Sequence, residues 1–302
     1  MIQAGRDDAV DKAIARLLLG VGAGLGLDLC AKQLLLSHSL DQFVFLRSLV
    51  GLLLFLLLAR RFGGWRQLAT KRWRWHLLRT ALSCFTMFGF FYGLAHMPLV
   101  NALTLGFTAP LMVVALSMPL LGEHVGWRRW MAVTTGFVGV LVVLRPGAGL
   151  VTPASIAVLV AAFCYACLAI TARHLGSTES SYALSVWVIV GPLLLSGLLI
   201  ADDPWVAPDT ASWTLFLVAG ACSVLAWIGI VGGYRRASPA ILAPFEYTAL
   251  VGGAAAGYLF WGEVPDGHTL AGAAIIIASG LYVVYREVRW RRPPPQGAGE
   301  PD

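Results

Sequence analysis

FTAPLMVVALSMPLLGE (residues 107–123) returns further along the chain as YTALVGGAAAGYLFWGE (residues 247–263). Each copy is an apolar run closed by Gly-Glu. Each is followed by a glycine-bearing apolar segment, GFVGVLVVL from Gly136 and GAAIIIASGLYVV from Gly272. The copies differ in charge: Arg128 and Arg129 follow Glu123, whereas Asp266 and His268 follow Glu263. A chain that writes one unit twice and changes its charge poses a question about solvent and orientation.

Solvent comes first. The 302 residues are 58% hydrophobic and 13% charged, more apolar surface than a water-soluble core of this size buries. Bilayer is therefore the expected solvent. Ten apolar segments have roughly the 20 residues needed to cross a hydrocarbon layer: 17–36, 42–59, 75–95, 99–121, 129–145, 153–173, 181–201, 211–233, 239–261 and 268–285. Arg60-Arg61, Met97-Pro98, Arg145-Pro146-Gly147, Asp202-Asp203-Pro204 and Ser238-Pro239 interrupt them. Met1 to Arg16 lacks the apolar core of a cleavable signal, so the first segment reads as a retained span.

Basic residues orient the spans. With the N-terminus in the cytoplasm, every Lys and Arg outside the spans except Arg145 falls on the cytoplasmic side; Lys32, Arg47 and Arg79 lie within spans. Both termini are then cytoplasmic, and the expected location is a bacterial inner membrane. The net charge of +6 is spread over loops rather than gathered on one face, which excludes a nucleic-acid partner.

The repeat now has a geometry. Tyr92 opens YGLAHMP before the first copy and Tyr234 opens YRRASP before the second, so each unit is five helices long. An odd count inverts the second copy in the membrane. The first Gly-Glu loop then faces the cytoplasm and takes arginines, while its counterpart faces outward without them. The expected organisation is a cytoplasmic segment 1–16, repeat one over 17–146, repeat two over 153–286 and a cytoplasmic tail 287–302. The expected fold class is all-α integral membrane, ten helices in two inverted five-helix repeats. Glu123 and Glu263 sit at span ends on opposite faces, where they close helix pairs and cannot share a site.

These paired Gly-Glu units, their upstream Tyr and Pro turns, and the glycines of spans five and ten resemble the EamA family of the drug/metabolite transporter superfamily, from about Leu17 to Glu287. DLCAKQLLLSHSLDQFVFLRS (28–48) and the segment from Ala243 to Glu287 resemble a bacterial subset handling S-adenosylmethionine or riboflavin. Other family members export amino acids or amino-acid-derived metallophores. The resemblance implies a secondary transporter with two five-helix repeats, a central cavity, a small-molecule substrate and the lipid bilayer as surroundings. Export is favoured on family grounds, with metabolite uptake as the alternative and a non-transporting sensor or scaffold as an alternative of another class. A homodimer is left open.

Intramembrane ionisable residues are functional candidates by default. Asp28 and Lys32 lie four apart on one face of the first span, either lining the cavity or neutralising each other. Glu246, inside the ninth span, would attract a substrate amine or take up a proton to couple transport, a task a counter-substrate would also serve; otherwise it pairs with Lys32 or Arg47. Arg47 either snorkels or holds a substrate carboxylate. Arg79, near a span end, reads as an interfacial anchor. Asn101, Thr104 and Thr108 would bond a substrate or a neighbouring helix. Tyr92, Trp187, Trp227 and Tyr247 are candidates for stacking on a ligand, while Trp205 and Trp213 suit an interfacial belt.

Other motifs favour structure over chemistry. Cys164 and Cys167 form C-x-x-C inside an apolar run without a second ligand pair, so neither a disulfide framework nor a metal site is expected. His96, His124 and His268 lack metal spacing. GVGAGLGL (20–27) lacks a nucleotide-loop pattern and reads as close helix packing, as do Gly136 with Gly139 and Gly252, Gly253 and Gly257. No cofactor, ATP-driven step or catalytic constellation is indicated; the chain reads as a non-enzyme.

Overall fold

The computed structural model describes residues 2–62, 64–121, 127–145, 151–175, 178–201, 205–234, 242 and 245–290. The secondary structure among them is helical throughout. The helices are α1 (Ile2–Leu34), α2 (Leu40–Leu57), α3 (Trp73–His96), α4 (Leu99–Gly106), α5 (Ala109–Leu121), α6 (Trp127–Leu144), α7 (Pro153–Leu175), α8 (Ser181–Leu199), α9 (Thr210–Tyr234), α10 (Thr248–Trp261) and α11 (Gly267–Trp290). Two short 3-10 turns, Ala59–Phe62 and Trp65–Leu68, lie between α2 and α3.

Helix starts follow from local chemistry. Ser39, Ser180 and Asp209 each accept the backbone N–H three residues on, satisfying donors that no helical carbonyl reaches. Thr152 and Ser155 exchange side-chain and backbone bonds in a reciprocal cap, and Pro153 stands at the first helical position, where it loses no bond. Gly262 ends α10 in the left-handed conformation at φ 66°, which a residue without Cβ adopts freely.

Among the described residues, seven helical segments are long and apolar enough to cross a membrane, with Leu99–Ser117, which runs through α4 and α5, counted as one; Trp130–Leu144, Thr248–Trp261 and Gly267–Val283 are apolar but shorter. Leu57, Leu198, Leu259 and Phe260 are exposed, and a surface so apolar is stable facing lipid rather than water. One expectation needs correction: the segment 99–121 is two helices, broken at Phe107 and Thr108. Pro110 has no N–H to give to the Gly106 carbonyl, so the helical ladder lapses there. Thr108 compensates locally, its hydroxyl and N–H both donating to the Leu105 carbonyl at 2.6 and 3.1 Å.

The most extensive helix contacts join the first half of the chain to the second: α1 with α9, α3 with α7, α6 with α11 and α2 with α8. Glycine sets the closest crossings. A Cβ on Gly20 would lie 2.6 Å from the Ile230 nitrogen of α9, and one on Gly93 would lie 2.0 Å from a Val158 methyl of α7. In a bilayer, where apolar exclusion does not drive helices together, such close approach supplies the attraction through van der Waals contact. The expectation for the Gly20–Leu27 run holds at Gly20 and not at Gly22, whose Cβ position is open.

Candidate functional site

Three ionisable groups predicted from sequence line one cavity of about 370 Å³: Asp28 on α1, Arg47 on α2 and Glu246 two residues before α10. Its walls are aromatic and small, from Phe90 and Phe91 of α3 to Tyr165 of α7, and include the α4–α5 break from Gly106 to Pro110, apart from Thr108. Broken helices are tolerated at membrane depth where their freed backbone lines a cavity. Here the positive end of the α5 dipole opens onto that space.

Electrostatics couples the cavity groups. Arg47 is 4% exposed; its guanidinium lies within Coulombic reach of Asp28, 5.5 Å over the Phe91 ring, and one amino group donates to the Met87 sulfur at 3.2 Å. The snorkelling alternative for Arg47 is therefore excluded. Its Nε has no hydrogen-bond partner among the described residues. Glu246 acts on both Tyr165 and Tyr247 through its charge. It also sits where the N-terminal dipole of α10 favours a carboxylate. Phe107 and Tyr247, which the aligned copies place in equivalent positions, stack with centroids 5.2 Å apart.

A second cavity of about 380 Å³ shares Leu27, Arg47, Met87 and Tyr165 with the first, and the two adjoining cavities make up a chamber with Arg47 in their common wall. It extends past Phe55 and Trp227 to Arg79. Arg79 is not an interfacial anchor: it is 4% exposed and donates to the Leu168 carbonyl, the Thr171 hydroxyl and the Leu184 carbonyl at 2.7, 2.9 and 3.3 Å. Six residues into α3, about 9 Å from its start, it is too deep and too well held to reach the interface.

Lys32 takes neither predicted partner, Asp28 nor Glu246. It forms an ion pair with Glu263, donates to the Met97 carbonyl at 3.0 Å and lies 5.5 Å from the Trp261 ring. Glu263 in turn accepts the N–H of Leu99, the first residue of α4, at 2.8 Å. This group ties α1, the α3–α4 turn and the end of α10 together. Glu263 does close a helix junction, as expected, but as a charged partner that sequence reasoning missed. Glu123 and His124 lie outside the described residues. On the same end of the bundle Arg145 pairs with Asp266, which caps α11 by accepting from Thr269 N, and Gln42 clasps Val206 through both its amide and carbonyl. Backbone and side-chain hydrogen bonds from Thr269, then Arg145, hold the Asp266 carboxyl below its ordinary range.

Of the remaining predicted residues, all but Trp227 fall outside the cavity walls. Tyr92 stacks on His96, Asn101 accepts from the Thr269 hydroxyl at 3.3 Å, and Trp187 donates to Leu68 O at 3.4 Å. Thr104 and Thr108 are fully buried in helix packing. Trp227 lines the second cavity against Phe55. At the opposite end His76 faces Glu179, which also accepts from the Thr70 hydroxyl at 2.7 Å, fastening the α2–α3 connection to the α7–α8 turn.

A model of the EamA-like transporter family matches residues 15–145 and 152–285. An S-adenosylmethionine uptake transporter of Rickettsia conorii is 30% identical, the match covering 91% of this chain and 92% of its own length. A riboflavin transporter of Vibrio cholerae is 33% identical over 76% of this chain and 78% of its own. A pseudopaline exporter of Pseudomonas aeruginosa is 27% identical over 79% and 84%. A crystal structure of another protein, 17% identical, superposes with a TM-score of 0.65 over 95% of this chain and 99% of that one, a likeness of fold alone. The chain belongs to the EamA-like transporter family and is a multi-pass membrane protein.

Proposed function

We propose that this EamA-family chain moves a small polar or zwitterionic metabolite through the chamber that holds Asp28, Arg47 and Glu246, by alternating access between two inverted five-helix halves. The chamber carries the reading: charges from both halves of the chain converge on a space with aromatic walls and broken helices. The cross-chain packing supports the halves, since exchanging them converts the α1–α9 contact into the α7–α3 contact and leaves α2–α8 and α6–α11 paired as they are. Ten crossings, cytoplasmic termini and an inner-membrane location complete the proposal.

Two carboxylates and one guanidinium suit a molecule with an amine or other cation beside a carboxylate, as in an amino acid or its derivatives, an opine-type metallophore included. Export is the direction we favour. Uptake is the second reading, favoured by the relatives at 30% identity named for S-adenosylmethionine uptake. Radiolabelled flux into proteoliposomes with amino acids, S-adenosylmethionine and riboflavin tests the proposal. Specific binding with no flux of any of them, in either direction, refutes it.

A further inference from the structure

Arg79 and Arg47 face one cavity, and the residues lining it include no carboxylate. Both are 4% exposed and both have an Nε without a hydrogen-bond partner among the described residues. Arg79 is satisfied elsewhere by two carbonyls and a hydroxyl only. Those neutral acceptors fix the guanidinium plane between α3, α7 and α8 but leave its charge without a counter-ion among the described residues. A charge held this way inside a membrane is costly unless something of opposite sign visits it. Ser185, Ser223 and Trp227 line the same space, giving hydroxyls and an aromatic wall.

We propose that this end of the chamber is an anion subsite, in which Arg79 and Arg47 receive a carboxylate group of the cargo while Asp28 and Glu246 face its cationic end. The chamber is thus bipolar, with Arg47 shared between the two ends. The assignment rests on the transporter reading only in naming the carboxylate as part of a cargo. A bidentate guanidinium suits a carboxylate better than an ammonium does, so lysine replaces Arg79 incompletely.

The probe is benzoate, with benzamide as its uncharged isostere, titrated against the full chain in nanodiscs of zwitterionic lipid. Binding is read from the thermal unfolding midpoint and from tryptophan fluorescence. Benzoate should bind and benzamide should not; Arg79→Gln should weaken benzoate at least tenfold, with Arg79→Lys between the two. Ala169→Phe, at an exposed residue of the cavity wall, adds bulk to the space while leaving Arg79 and its three acceptors in place, and should also abolish binding, which keeps the test decisive if Arg79→Gln does not fold. Equal binding of benzoate and benzamide, no benzoate binding at all, or full benzoate affinity in either variant overturns the subsite. Raising the anionic lipid fraction should leave benzoate affinity unchanged; a proportional loss would give the site to a lipid headgroup and overturn the cargo assignment. Benzoate binding needs no flux. A chain that binds it but moves nothing fails the transporter reading alone, and flux without Arg79-dependent binding fails the subsite alone.

Discussion

Neutralising the Lys32–Glu263 pair is the perturbation whose size the structure sets most directly. The two side chains are 8% and 19% exposed, so neither charge is well hydrated when its partner is removed. Breaking a fully buried pair costs about 3–5 kcal/mol. One-fifth exposure of the carboxylate reduces that figure, and about 2–3 kcal/mol is expected for Glu263→Ala from the charge alone. Loss of the acceptor for Leu99 N–H adds about 1 kcal/mol, the usual worth of a helix N-terminal cap. Glu263→Gln keeps an acceptor for both donors and should cost about half as much as Glu263→Ala. Lys32→Met retains an apolar stem against Trp261 while deleting the ammonium.

The two single variants and the Lys32→Met/Glu263→Gln double variant form a cycle. Because each single variant strands a charge and the double strands none, the double should be milder than the sum by about 2 kcal/mol, a factor of about 30 in the unfolding equilibrium. Steric-trap unfolding in bicelles measures it. A coupling below about 0.5 kcal/mol, or equal losses for Glu263→Gln and Glu263→Ala, would refute the account of the pair as a partly desolvated latch.

Other outcomes follow from single contacts. Glu246→Gln should lower proteoliposome flux at least tenfold and flatten its pH dependence; unchanged kinetics across pH would remove this carboxylate from the mechanism. Gly93→Ala should block folding, because its Cβ would overlap a Val158 methyl at 2.0 Å, whereas Gly22→Ala meets nothing within 4 Å and should stabilise α1 by about 0.5–1 kcal/mol; detergent-resistant yield and melting separate the two. Asp266, held below its ordinary range by hydrogen bonds from Thr269 and then by Arg145, caps α11 at neutral pH. A depressed folded value means its contribution is complete above the unfolded carboxylate range and is lost only as pH falls through the folded value. Amide exchange at Thr269 should therefore stay slow down to about pH 4, after correction for intrinsic rates, and Asp266→Ala should accelerate it at neutral pH.

What the sequence made legible was the part governed by one chain segment at a time. Apolar run length, capping serines and basic loops are local, and most expected spans end within a few residues of the observed helices where these are described, although α1 begins at Ile2 rather than 17, α10 begins at Thr248 rather than 239, and 99–121 is split. Asp28, Arg47 and Glu246 were readable because an ionisable group at membrane depth must face something other than lipid. The misses are relational. Lys32 finds Glu263 across 231 residues, and no helical spacing encodes that. Arg79 looked like an anchor because distance from a span end was the only measure available, and its three acceptors come from α7 and α8. The α4–α5 break had a visible signal in Pro110, outweighed by the apolar length of the segment around it.

The meeting of Phe107 with Tyr247 bears on why the two halves are not interchangeable. In the proposed inverted arrangement, aligned positions come into contact only near the axis that relates the halves, so a 5.2 Å approach of these two rings would put the α4–α5 break and the start of α10 beside that axis. One residue earlier, the first half has Gly106 and the second has Glu246, and both line the cavity. Two perfectly equivalent halves would give inward-facing and outward-facing states of equal energy. A carboxylate carried by one half alone removes that degeneracy, because its surroundings differ according to which half is open. A cation bound at Glu246, whether a proton or the charged end of a cargo, then shifts the balance between the states by the difference in its affinity for them and by nothing else. In this reading the substitution of one glycine by glutamate within a duplicated motif makes occupancy of the chamber the variable that sets its direction of opening.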